Sequence, residues 1–140
     1  MKAASALLAL LPLVGCAGDD GARERADCQR RIVEAASPAA SPPGGGAAAF
    51  AFVEQRLKGL ERKGCSEDQI ARAGLTAQAA GRIAAAAESV GDLRQAIEQG
   101  RSPSNDQAIL EFAHELEQYE HRRAALQVDL ERLAKEAEGR

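Results

Sequence analysis

Residues 104–138 carry the clearest periodicity in the chain. Ile109, Leu116, Arg123, Leu130 and Ala137 recur every seven residues, and Phe112, Tyr119, Leu126 and Leu133 fill the complementary position. This spacing, sustained over four heptads, predicts a long helix with one apolar seam that only Arg123 interrupts. Two readings of Arg123 stay open. Its stem packs along an alanine-rich neighbour while its head reaches solvent, or it sets the register of a self-associating coiled coil. Upstream, Ala79, Ile83, Ala86, Val90, Leu93 and Ile97 alternate steps of four and three, which predicts a second long helix over 67–99. Ser66 and Gln69 have capping-box spacing at its start, and Gly100 is its stop. Glu67 and Asp68 suit the dipole of its first turn. Gly74, Gly81 and Gly91 each weaken it by about 1 kcal/mol relative to alanine, and Gly91-Asp92 is where it would break or kink. The segment RSPS (101–104) is the turn that follows. Ser104 with Gln107 makes a second capping box, and Ser102 before Pro103 is an alternative helix start. Each long helix would extend about 50 Å, and so short a turn makes them antiparallel neighbours.

Two shorter helices precede these. Phe50, Val53, Leu57 and Leu60 place one over 47–63, with Gly64 as its stop. Cys28, Ile32 and Ala35 share a stripe over 24–36, with Arg25 and Arg30 off it, and Ser37-Pro38 ends that helix. Between them, 37–46 packs three Pro and three Gly into ten residues and reads as a loop. It is no phosphate-binding loop, because Gly46 is followed by Ala47-Ala48-Ala49 and not by Lys-Ser/Thr.

Composition agrees with helices. Alanine supplies 31 of the 140 residues and aromatic residues only four, so the core is thin and large all-β folds are disfavoured. The fold expected over 24–140 is an all-α bundle of a short disulfide-linked helical hairpin and a long antiparallel one. A formal charge of −3 without a basic patch argues against nucleic acid as a partner.

The first sixteen residues, MKAASALLALLPLVGC, have a different character. Lys2 is followed by an uncharged apolar stretch from Ala3 to Val14, too short to span a bilayer, where roughly 20 residues are needed. It fits the apolar region of a secretory signal. The ending Leu13-Val14-Gly15-Cys16 resembles the lipobox of bacterial lipoproteins. The resemblance implies cleavage after residue 15, a diacylglyceryl group on the Cys16 sulfur and acylation of its amine. More than one acyl chain gives stable anchoring. With Ala17 in the position after Cys16, the resemblance implies the periplasmic face of the outer membrane in preference to the inner membrane, although Asp19 and Asp20 are close behind. An ordinary cleaved secretory signal is the alternative. Residues 16–23 are then the lipidated N-terminus and start of a small polar tether, AGDDGARERAD (17–27). Cleavage removes Lys2 and leaves 17 basic against 21 acidic residues, a charge of −4.

Two other cysteines remain, Cys28 and Cys65, 37 residues apart. An oxidising compartment favours a bridge between them, and closing that loop would contribute roughly 3–4 kcal/mol in the chain-entropy model. Two free thiols or an intermolecular bridge are the other readings. Two cysteines alone do not make a structural zinc site.

No catalytic constellation stands out. Glu111 and His114 form one Glu-x-x-His pair, but di-iron bundles need two pairs and two further carboxylates on inward faces. His114 and His121 fall opposite the apolar seam, and Glu117 is four residues from His121 instead of three. A zinc-protease motif would need His where Gln118 stands, and no Gly-x-Ser-x-Gly occurs. The Glu- and Arg-rich outer faces read as solubilising pairs. The function expected is therefore non-enzymatic and cofactor-free: an envelope lipoprotein, anchored to the membrane, that presents a helical surface to a protein partner. In size and layout alone it resembles the small helical lipoproteins that pilot secretin subunits to the outer membrane. Murein-linked lipoproteins end in Lys, whereas this chain ends Gly139-Arg140. The rival reading is a periplasmic metal-binding protein using His114, Glu117 and His121.

Overall fold

The computed structural model describes residues 11–38, 46–101 and 106–139, with side chains described from Gly21 and from Gln107 in the first and last stretches. Four helices make up the described chain, with no strand among the described residues: α1 (Leu11–Ala35), α2 (Gly46–Lys58), α3 (Glu67–Glu98) and α4 (Asp106–Glu138). The all-α expectation is met. Residues 1–10, most of the 37–46 loop and both proposed starts of the last helix at 102–104 lie outside the described residues.

α1 is longer than its apolar stripe suggested. The run expected to be a tether is helical, and Ala22 and Ala26 are buried one turn apart, in line with Gln29 and beside the Cys28, Ile32 and Ala35 stripe, which widens the buried face of α1. Ala22, Arg23, Glu24, Arg25 and Ala26 are strong helix formers, and they carry the helix through the end of a run whose start, Gly18 to Gly21, is weak in propensity. Its C-terminal end is finished by tertiary partners. The Tyr119 hydroxyl donates to the Ala36 carbonyl at 2.5 Å, and an Arg56 Nη2–H donates to the Ser37 carbonyl at 2.6 Å. Side chains from α4 and α2 thus satisfy carbonyls that a helix end leaves open.

α2 stops at Lys58, six residues before Gly64, and Leu60 lies beyond the helix, half-buried against the core. The chain turns away here so that Cys65 can reach Cys28. The bridge forms, with the two Cα atoms 5.3 Å apart. Gly64 serves this loop instead of the helix: its φ is +78°, and a Cβ there would meet the Glu24 Cβ at 3.1 Å. Arg31 holds the same loop by donating to the carbonyls of Lys63 (2.7 Å) and Glu61 (3.4 Å).

α3 begins with the expected capping box. The Gln69 N–H donates to Ser66 Oγ at 3.2 Å, and the Ser66 N–H donates to Gln69 Oε1 at 3.0 Å. The helix is continuous through Gly91-Asp92. It ends in a Schellman arrangement, with Gly100 at φ +77°, its N–H bonded to Ile97 and that of Arg101 to Ala96.

α3 and α4 are antiparallel neighbours, as expected of the long pair, but α1 and α2 do not pack together as a short hairpin. α2 packs on α3, and α4 packs on both α1 and α3, while α1 and α2 scarcely touch; the disulfide joins α1 to the loop just before α3. The pairs Gln29–Leu126 and Ala36–Tyr119 set α1 antiparallel to α4, and the ion pairs Arg72–Asp129 and Arg82–Glu115 set α3 antiparallel to α4. The shared core gathers Cys28, Ile32, Val53, Leu57, Ile83, Tyr119 and Leu126 with small alanines of α3. In α4 the Tyr119, Leu126 and Leu133 positions are buried, whereas Ile109 is half-exposed and Leu116 and Leu130 only partly covered.

A buried amide pair ties three helices together. Gln29 and Gln69 are 2% and 5% exposed. Gln69 Nε2 donates to the Arg25 carbonyl (2.8 Å) and to Gln29 Oε1 (3.2 Å), and Gln29 Nε2 donates to the Leu126 carbonyl (3.0 Å). Every amide group is engaged, as burial requires. Replacing Gln69 with Leu removes the side-chain half of the capping box, leaves Gln29 Oε1 without its donor and the Arg25 carbonyl without its own, so a loss of about 2–3 kcal/mol is expected. Urea denaturation of Gln69→Leu against Ser66→Ala, which loses only half of the cap at about 1 kcal/mol, separates the two contributions. Equal losses would contradict the network.

Candidate functional site

Three places were singled out by residue type, and the structure treats them differently. Cys16 lies in the backbone of α1, in its second turn. Its side chain falls outside the described residues. No helix among the described residues is long and apolar enough to cross a membrane. Cys28 and Cys65 come together as a disulfide, with Cys28 fully buried and Cys65 half-buried beside Arg31.

His114, Glu117 and His121 lie exposed along α4. His121 Nε2 stands 4.0 Å from Glu117 Oε1, with both side chains largely in solvent. Among the described residues no group of three or more His, Cys, Asp or Glu side chains converges as a metal would need.

Arg123 borders a pocket of about 260 Å³ together with Val33, Ala36, Ala124 and Gln127, and its guanidinium bonds Glu120 at 3.3 Å. Beside it, Tyr119 is fully buried, meeting the Phe50 ring edge-to-face at 5.3 Å. Burial pushes the Tyr119 phenol up to about 12, against a smaller opposing pull from Arg123. An open groove of about 520 Å³ between α3 and α4 runs past Thr76, Arg122, Ala125 and Val128, and its charged rim, Arg72 and Asp129, is already paired. Neither hollow brings free polar groups together in the way that a small-molecule site requires.

The feature that periodicity did not single out is the far end of the long helices. Burial in α3 stops at Ala86, and no described residue of α4 before Tyr119 is buried. The last turns of α3 and the first turns of α4 therefore form an arm that reaches past the buried core, with Phe112 and Leu116 at its base partly packed against that core. It exposes Ile97, Ile109 and Leu110 at 51, 49 and 64%. In the sequence, Ile97 and Ile109 fit the apolar seams; only the end of α1 and α2 coverage leaves them open. Phe52 is also exposed, but the Arg56 guanidinium covers its ring at 5.0 Å.

Comparison with known proteins adds nothing to this picture: no family model, no curated protein and no solved structure matches the chain.

Proposed function

We infer that this protein is a non-enzymatic lipoprotein of the bacterial cell envelope, anchored through Cys16 and presenting its helical bundle to a protein partner. The observation that carries the reading is the pairing of a lipobox-like ending, Leu13-Val14-Gly15-Cys16, with an arm of exposed apolar residues at the opposite end of the fold. α1 runs antiparallel to α4, so residue 16 and the Ile109–Leu110 end of α4 lie at opposite ends of the molecule. A disulfide across Cys28 and Cys65 suits an oxidising compartment. The periplasmic face of the outer membrane is the location this reading favours, on Ala17. The role asks for no cofactor and no catalytic group.

Metabolic labelling with palmitate tests the anchor. Wild-type protein incorporates label and partitions with membranes, and Cys16→Ser abolishes both. Unlabelled wild type, or undiminished label on Cys16→Ser, would overturn the assignment.

A further inference from the structure

We propose that the arm formed by residues 87–101 and 106–118 docks a basic amphipathic segment of another protein, with lysines or arginines around an apolar centre. The proposal deepens the interaction role inferred above and rests on it. Three large apolar side chains stand open at this one end: Ile97 is next to the last residue of α3, and Ile109 and Leu110 lie in the first turns of α4. Scattered surface hydrophobics need no explanation, but a group at one end of a soluble fold marks a contact surface.

Charge identifies what the surface fits. The two segments hold seven carboxylates against two arginines, Arg94 and Arg101, a balance of −5. The rest of the chain holds fourteen carboxylates against sixteen basic residues, a balance of +2. All of the net negative charge thus sits on the arm. Glu115 is paired with Arg82, but Glu88, Asp92, Glu98 and Glu111 have no ion pair with any described residue. Unneutralised carboxylates around an apolar patch favour a cationic partner and repel like charge. A second copy would bring the same −5 against this one, so the arm does not pair with itself. Anionic lipid and nucleic acid are repelled on the same ground.

The test uses the full mature protein in neutral-lipid nanodiscs. The probes are a helical Lys/Leu amphipathic peptide, its Glu/Leu counterpart, and vesicles containing phosphatidylglycerol. The Lys/Leu peptide is expected to bind, more weakly as salt rises, and the other two probes are not. Glu98→Lys with Glu111→Lys, and separately Leu110→Ser, each weaken that binding on the order of tenfold. Val128→Ser and Glu131→Lys, exposed away from the arm, leave it unchanged. Unaltered circular dichroism melts show that the variants fold, as exposed positions predict. In cells, a photocrosslinker at position 110 then maps to a Lys/Arg-rich segment of a different protein. The proposal is overturned if the Lys/Leu peptide fails to bind or if its binding ignores the arm substitutions. Capture of a second copy, of vesicles or of an acidic segment at position 110 also overturns it. These outcomes are read independently of palmitate label: a labelled protein that fails here retains its anchor and loses only this partner chemistry.

Discussion

Breaking the Cys28–Cys65 bond is expected to lower stability by about 3–4 kcal/mol, which for a chain of this size moves the melting midpoint down by roughly 10–15 °C. The bridge closes a 37-residue separation that includes the Pro/Gly-rich stretch. Beside it, the two sides are joined by the Gln69 hydrogen bonds to Arg25 and Gln29. α1 and α2 scarcely touch, and the loop before Cys65 is otherwise held by the Arg31 hydrogen bonds to Glu61 and Lys63. Cys65→Ser is the informative variant, because Cys65 is half-buried while Cys28 stays behind as a buried thiol, which packs as a small hydrophobe. Reduction of the wild type should reproduce its effect. Hydrogen exchange should accelerate most over 59–66, with the centre of α4 less affected. A midpoint that stays within a few degrees after the bond is broken would show that packing alone holds the loop.

Tyr119 is the second sensitive point. Among the described residues it is the largest fully buried side chain, it stacks edge-on against Phe50, and it supplies the hydrogen bond that closes the end of α1. In a core built mostly from alanine, few neighbours are large enough to refill the space. Tyr119→Ala is expected to lose about 3–5 kcal/mol. Tyr119→Phe keeps the ring and leaves the Ala36 carbonyl without its donor, a loss of about 1–2 kcal/mol. The phenol adds a pH dependence. Burial raises it from 10.0 to about 12, so the unfolded chain releases this proton before the folded one does. Its contribution is complete below pH 10 and falls away as pH rises from 10 towards 12. Urea midpoints across that range should therefore decline more steeply for wild type than for Tyr119→Phe. Parallel profiles would contradict the assignment of this group.

The sequence revealed the helices better than it revealed their packing. Both long helices and the Ser66–Gln69 cap were readable because periodicity and capping are local properties. The Cys28–Cys65 pairing was readable because only two cysteines remained after Cys16. The extent of α1 was not, because Ala22 and Ala26 sit in a run whose charges disguise a narrow buried stripe. The end of α2 was misplaced because Gly64 looks like a helix stop, whereas its backbone is spent on bringing the loop against Glu24. The closure of α1 by Tyr119 and Arg56 has no local signature at all, since both donors come from other helices. Gln29 likewise gains its meaning only when Gln69 and Leu126 arrive beside it. The acidic arm was hidden for the opposite reason. Ile97 and Ile109 obey the seam pattern, and only the limited reach of α1 and α2 leaves them uncovered.

The intact mass of the protein purified from its native membrane bears most directly on the function proposed. A chain beginning at Cys16, heavier than its sequence by a diacylglyceryl group and an N-terminal acyl chain, is the expected result. A chain that retains residues 1–15 without added lipid, recovered from the soluble intracellular fraction, would contradict it.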